Sequence, residues 1–217
     1  MRIFLALLIM LTACASPARA QEASPDTVAV YLVPMEDFPE AVAAKLARQL
    51  SDDMKLWVKA TVRMGKLDVL KLPGTNQFIA EDILAKAQPI IRSLPEASRQ
   101  TYYVLLTTRD INSSSGNFRF QFSMHVREAR SSVVSIFRML EFHNGRYFAT
   151  QRSYERLLKM TKRGIGEIYL GWERSSNRGD IMYSPIMSVQ DLDSIGLQHD
   201  EKRPQMNIRI EPLRNSI

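Results

Sequence analysis

The succession of periodicities along this chain predicts one α/β (α+β) domain: a mixed sheet with flanking helices, a long helix after the last strand, and a small C-terminal subdomain. Three observations carry that expectation. Short β-branched runs alternate with helical-period segments in the first half, two strand-like runs then follow one another directly, and from Arg152 the period turns helical and stays so. The composition agrees, because 217 residues with 45% hydrophobic and 24% charged content suffice for a buried core.

The folded part is expected to begin near Thr27. "TVAVYLV", Thr27 to Val33, is β-branched and bounded by Pro25 and Pro34, as a buried strand would be. In "EAVAAKLARQLSDDM" the apolar residues Val42, Leu46 and Leu50 recur at helical spacing. "KLWVKATVRM" then places Leu56, Val58, Ala60, Val62 and Met64 on one face, which predicts a half-buried strand. "FIAEDILAKAQPIIRSL" is helical up to Pro89, where the missing N–H should kink or end the helix. "TYYVLLTT" predicts a buried strand, "FRFQFSMHV" alternates strictly, and "SSVVSIFRML" adds a further strand after the polar "REAR". The long helix follows, with Tyr154, Leu157, Leu158, Thr161, Ile165 and Ile168 sharing a face. "KLPGTN" and "NSSSGN" hold one glycine each and read as loops.

The first twenty residues combine a single Arg2, the apolar run "IFLALLIMLTA" and "CASPARA". The run is too short to span a bilayer and fits the apolar region of a secretory signal, so export is expected, with residues 1–20 as signal, 21–26 as tether and 27–217 as the domain. Two cleavage points compete. Ala18-Arg19-Ala20 before Gln21 follows the small-x-small pattern, while Leu11-Thr12-Ala13-Cys14 resembles the lipobox of bacterial lipoproteins. Cys14 is the sole cysteine, so it cannot form an internal disulfide, and the resemblance implies that it is the lipidated N-terminus of a membrane-anchored protein. Ala15 after it implies the outer membrane, facing the periplasm; a periplasmic or secreted protein cut after Ala20 is the alternative.

The formal net charge is +6, but the basic residues are interleaved with acids and form no recognition helix, zinc finger or stacking platform, so nucleic acid is not an expected partner. No nucleophile elbow, phosphate loop or dinucleotide fingerprint occurs.

The segments "YYVLLTTRDI", "FRFQFS" and "SSVVSIFRM", leading to "RSYERLLKM", are similar in kind and order to the archaemetzincin branch of the metzincin zinc peptidases. "DIMYSPIMSVQDLDSIGL" resembles the Met-turn and closing helix of matrixin-type metzincins, so the resemblance runs from Thr27 to Leu197. It implies a metzincin-like twisted mixed sheet and a long active-site helix carrying His-Glu-x-x-His-x-x-Gly-x-x-His, where the histidines bind Zn²⁺ and the glutamate is general base. Aligned from Arg156 and Lys159, that motif falls on "RGIGEIYLGWE". The ligand positions become Arg163, Glu167 and Glu173 and the general-base position becomes Gly164; a register shifted by one gives Gly164, Ile168 and Arg174 as ligand positions. Neither register contains a histidine. Gly166 stands where the family often has glycine for close packing, and the resemblance makes Met182 the Met-turn residue.

The three histidines have plainer readings: His125 on the alternating strand, His143 in the "HNG" turn and His199 in a polar tail. Asp52 with Asp53 and Asp191 with Asp193 read as helix-flank acids, and "REAR" and "TKR" as solvated faces. For Arg163, Glu167 and Glu173 two arrangements stand open: an internal ion-pair network in place of the metal, or an exposed i, i+4 pair. The expected function is that of an exported metzincin-fold protein without catalytic residues, metal or other cofactor, holding a peptide or protein in the former substrate cleft. The alternatives are an active zinc-dependent peptidase with a non-standard site that recruits Glu167, and a lipoprotein of unrelated function.

Overall fold

The computed structural model describes residues 27–116 and 118–200, so Cys14, the signal and the tether lie outside the described residues. Five strands form the main sheet: β1 (Val30–Pro34), β2 (Val58–Ala60), β4 (Tyr102–Thr107), β6 (Ser123–Val126) and β7 (Ser131–Ser135). Their order is β2-β1-β4-β7-β6, parallel except for β6, which runs antiparallel to β7 at one edge. β1 and β4 are buried along their whole length, as interior strands covered on both faces must be, and this explains why "VYLVP" and "YYVLLT" lack polar alternation.

The faces are covered by helices whose apolar stripes the sequence encodes. On one side α1 (Glu40–Met54) and α3 (Gln151–Ile165) bury Leu46, Leu50, Leu157 and Ile165 against Val30, Val104 and Val134. On the other, α2 (Ala80–Ile91) buries Ile83, Ala87 and Ile91 against Tyr31, Leu105 and Val133. Two small ladders, β3 (Phe78–Ile79) with β5 (Ile111–Asn112) and β8 (Glu141–His143) with β9 (Arg146–Phe148), lie outside the main sheet.

Five segments depart from the sequence expectation; in "SSVVSIFRML" only Ser131–Ser135 is strand, and Phe137–Met139 turns as a 3-10 helix. β2 is only three residues long, because the Thr61 and Met64 amides bond to the Leu32 and Pro34 carbonyls: three residues advance against two, and the regular ladder stops. α2 continues past Pro89 to Ile91, whose side chain is fully buried; packing carries the helix two residues beyond the lost donor. In "FRFQFSMHV" only Ser123–Val126 joins the sheet; the Ser135 amide still donates to the Phe122 carbonyl, but one residue earlier Gln121 bonds to Ile111 instead. The long helix, capped by the Thr150 hydroxyl on the Ser153 amide, ends at Ile165 and widens into a π-helical turn over Gly166–Leu170, closed by Gly171 at φ 73°. The closing helix, α4 (Val189–Ser194), starts at a Ser188–Asp191 capping box.

Candidate functional site

A cleft of about 390 Å³ opens between the β6 edge and the C-terminal half of α3. Ser123 and His125 face it from the strand, Met160, Arg163 and Glu167 from the helix and its π-turn, and Arg174 and Met187 from the C-terminal segment. At its floor the strand meets the helix where the helix has no side chain. A Cβ on Gly164 would lie 2.6 Å from His125 Cε1 and 3.0 Å from the Tyr102 hydroxyl, closer than packed carbon atoms come. The imidazole thus fills the volume that a side chain at Gly164 would need.

His125 is held at both ring nitrogens. Nδ1 lies 2.9 Å from Ser132 Oγ and 3.3 Å from the Tyr102 hydroxyl, and Nε2 lies 2.9 Å from Ser123 Oγ. Desolvation, followed by the Arg174 and Arg163 guanidiniums, lowers its pKa to about 4, so the ring is neutral at physiological pH. Burial raises the Tyr102 pKa, and its hydroxyl stays protonated and bonded to Ser132.

Arg163 turns away from the cleft's acid. It is 4% exposed, and its Nη1 donates to the Ile181 and Tyr183 carbonyls, the latter at 2.8 Å, so one guanidinium clasps the backbone on both sides of fully buried Met182. Burial, then Arg174, lowers its pKa to about 10, which leaves it cationic at neutral pH.

This clasp is one of four. Arg156 forms a two-pronged pair with Asp193, both contacts at 2.7 Å, and donates to the Met139 carbonyl at 2.8 Å. Lys159 Nζ donates to the carbonyls of Leu192 at 2.8 Å and Ile195 at 2.9 Å, and Lys162 reaches Gln198 at 3.2 Å and Asp53 at 3.6 Å. All four cations are buried, which corrects the expectation that "TKR" is a solvated face, and the flank acids Asp53 and Asp193 acquire partners.

Across the turn Asp180 accepts the Met182 amide at 2.7 Å and His199 Nδ1 at 3.0 Å. Burial alone would raise the Asp180 pKa, but these donors and the Asp200 amide hold it below the usual carboxylate value. His199 also stacks on Trp172 at 4.7 Å, so it belongs to the packed turn and not to a loose polar tail. Trp172 in turn lies flat against Gly166, where any Cβ would collide with the indole; that accounts for the second glycine of "RGIGE".

Arg163, Glu167 and Glu173 are not brought together. Glu167 pairs with Arg174 at 2.5 Å and Glu173 is exposed, so neither the three-residue network nor the exposed Arg163–Glu167 pair forms. In the shifted register Ile168 is a core residue. His143 is exposed in β8 beside its turn, as expected. Sequence reasoning gave His125 no role; the signal was present in a histidine on the alternating strand and a glycine in the helix, but their juxtaposition depends on strand pairing. Among the described residues no group of three or more His, Cys, Asp or Glu side chains could hold a metal ion.

No family model matches the sequence, and no curated protein matches it. Solved structures do. The zinc-dependent peptidase of Methanocorpusculum labreanum superposes with a TM-score of 0.67 at 20% identity, covering 80% of this chain and 96% of that one. The archaemetzincin of Archaeoglobus fulgidus, solved with malonate, gives 0.59 at 22% identity over 79% and 95%, and that of Methanopyrus kandleri 0.58 at 17% over 82% and 93%. The chain therefore has a metzincin-like fold: a five-strand mixed sheet with flanking helices.

Proposed function

We propose that this chain is an exported, lipid-anchored metzincin-fold protein that has lost its zinc motif and works as a non-catalytic binding or scaffold domain. The observation that carries the proposal is at Gly164: the general-base position has no side chain, and the His125 ring fills its space. A catalytic zinc needs about three lone-pair ligands and an open position for water. Arg163 is a cation spent on two carbonyls, and both nitrogens of His125 face hydroxyls. Glu167 is held by Arg174 and Glu173 faces solvent. These residues do not fit zinc. In this reading Met182 keeps the Met-turn, fastened by a guanidinium, and the cleft beside the β6 edge receives an extended peptide by strand addition. Anchoring rests on Cys14, with the outer membrane as its place.

The second reading, an active peptidase that binds zinc in a non-standard way, is favoured by its neighbour from Methanocorpusculum, a zinc-dependent peptidase. Elemental mass spectrometry on the tag-free chain from Gln21 to Ile217, after mild dialysis, separates the two. The proposal predicts folded protein without stoichiometric zinc, whereas one zinc per chain overturns it. A Cys14→Ser form is expected to leave the membrane fraction, and its retention there would remove the lipid anchor.

A further inference from the structure

We propose that the cleft continues into an aromatic–arginine track that selects acidic, aromatic-bearing extended peptides; this rests on reading the cleft as a peptide site. Phe122 packs edge-on to Phe120 at 5.2 Å, and the Arg138 guanidinium lies over Phe120 at 5.0 Å and over Phe137 at 5.6 Å. Phe137 meets Tyr147 at 5.2 Å, and Tyr147 meets Phe142 at 5.0 Å. Rings and one guanidinium therefore run without a break from the cleft to the β8–β9 hairpin.

The ends of the track face water, while Phe122 is buried and Phe120 and Phe137 are half-buried between them. Phe142 is 64% exposed, Tyr147 52%, Phe148 47%, and Phe118 at the cleft mouth 56%. Clustered exposed aromatic rings on a folded domain mark a contact site. Arg138 is fixed by Asp110 at 2.5 Å, which presets the guanidinium between the two rings. Arg119 lines the cleft and Arg146 stands on the hairpin; neither carries an ion pair among the described residues, so the track offers positive charge to its occupant. β6 pairs only with β7 and leaves one edge of backbone donors and acceptors open. A polypeptide satisfies that edge, and a lipid surface does not.

The occupant's chemistry follows. Main-chain bonds to β6 take any sequence, Asp or Glu side chains meet Arg119 and Arg146, and aromatic side chains stack on the exposed rings.

The test uses labelled peptides of about ten residues, which span about 33 Å when extended at about 3.3 Å per residue. One carries Asp, Glu and Tyr; its counterpart has Lys in place of each acid. In fluorescence anisotropy the acidic peptide is expected to bind at least about tenfold tighter, with Arg119→Glu cutting that preference about fivefold and Phe142→Ala weakening binding about fivefold. Both substitutions are at exposed positions, and if circular dichroism shows that one fails to fold, the other still decides. Equal binding of the two peptides, indifference to both variants, or binding of phosphatidylglycerol vesicles in place of peptide would overturn the track while leaving a binding cleft. Failure of every extended peptide would overturn the cleft reading itself.

Discussion

The two flanks of α3 solve opposite problems. Toward the C-terminal segment the helix presents Arg156, Lys159, Lys162 and Arg163, four buried cations, and each finds carbonyls, a carboxylate or an amide oxygen. Toward β6, at Gly164, it presents nothing, and a neutral imidazole from the strand closes the gap. The first flank shows what fastens the helix here: long cationic side chains reach backbone oxygens 17 to 36 residues away. The second shows that the packing itself excludes a side chain at Gly164.

The contrast is sharpest at Arg163. Arg163→Ala strands two carbonyls beside Met182 and is expected to lower the unfolding free energy by about 3 kcal/mol, with the urea midpoint falling at constant slope. A loss under about 1 kcal/mol would mean that the clasp does not fasten the turn. Lys159→Met keeps the apolar stem but removes the donor from the end of α4; about 2 kcal/mol is expected, with faster amide exchange around Leu192 and Ile195.

On the strand flank, the histidine makes stability depend on pH. His125 has a pKa near 4 in the fold against an ordinary 6.5, so between those values the unfolded chain binds more protons. Stability is therefore full above about pH 6.5 and declines toward pH 4, by on the order of 2 kcal/mol. Urea unfolding at pH 7 and pH 5 should show that decline in the native chain and a reduced one in His125→Asn. The depressed Asp180 and Asp193 carboxyls contribute stability that is lost only at lower pH, below their ordinary value of 3.8.

The smallest effect is at the glycine. Gly164→Ala should gain about 1 kcal/mol from helix propensity, yet the His125 contact makes the net change a loss of about 1 kcal/mol. Pairing it with His125→Ala should reverse the sign. Additive losses in that double-mutant cycle would show that the ring is not what excludes the side chain.

Much of the fold was legible because its signals are local. The Val42, Leu46, Leu50 spacing predicted a helix over "EAVAAKLARQLSDDM", the span that α1 occupies, and the unbroken apolar run of "TYYVLLTT" predicted the central strand β4. Strand ends were not legible, because β2 ends where Thr61 and Met64 fall out of step with β1, and β6 begins only after Gln121 has bonded to Ile111 instead of β7. The cationic flank was misread for a related reason: Lys162 and Arg163 in sequence look like a solvated pair, and their oxygen partners, at Gln198, Asp53, Ile181 and Tyr183, are brought to them only by the fold. The resemblance singled out Gly164, while the His125 ring packed against it was not visible in the sequence.

The measurement closest to the central claim is urea unfolding of the chain from Gln21 to Ile217 in chelator and in excess zinc. Cations that fasten the helix without a metal predict the same midpoint in both. A metal site would be stabilised by its ligand, about 4 kcal/mol at a thousandfold excess over the dissociation constant, and a midpoint rising by that amount in zinc would contradict the account.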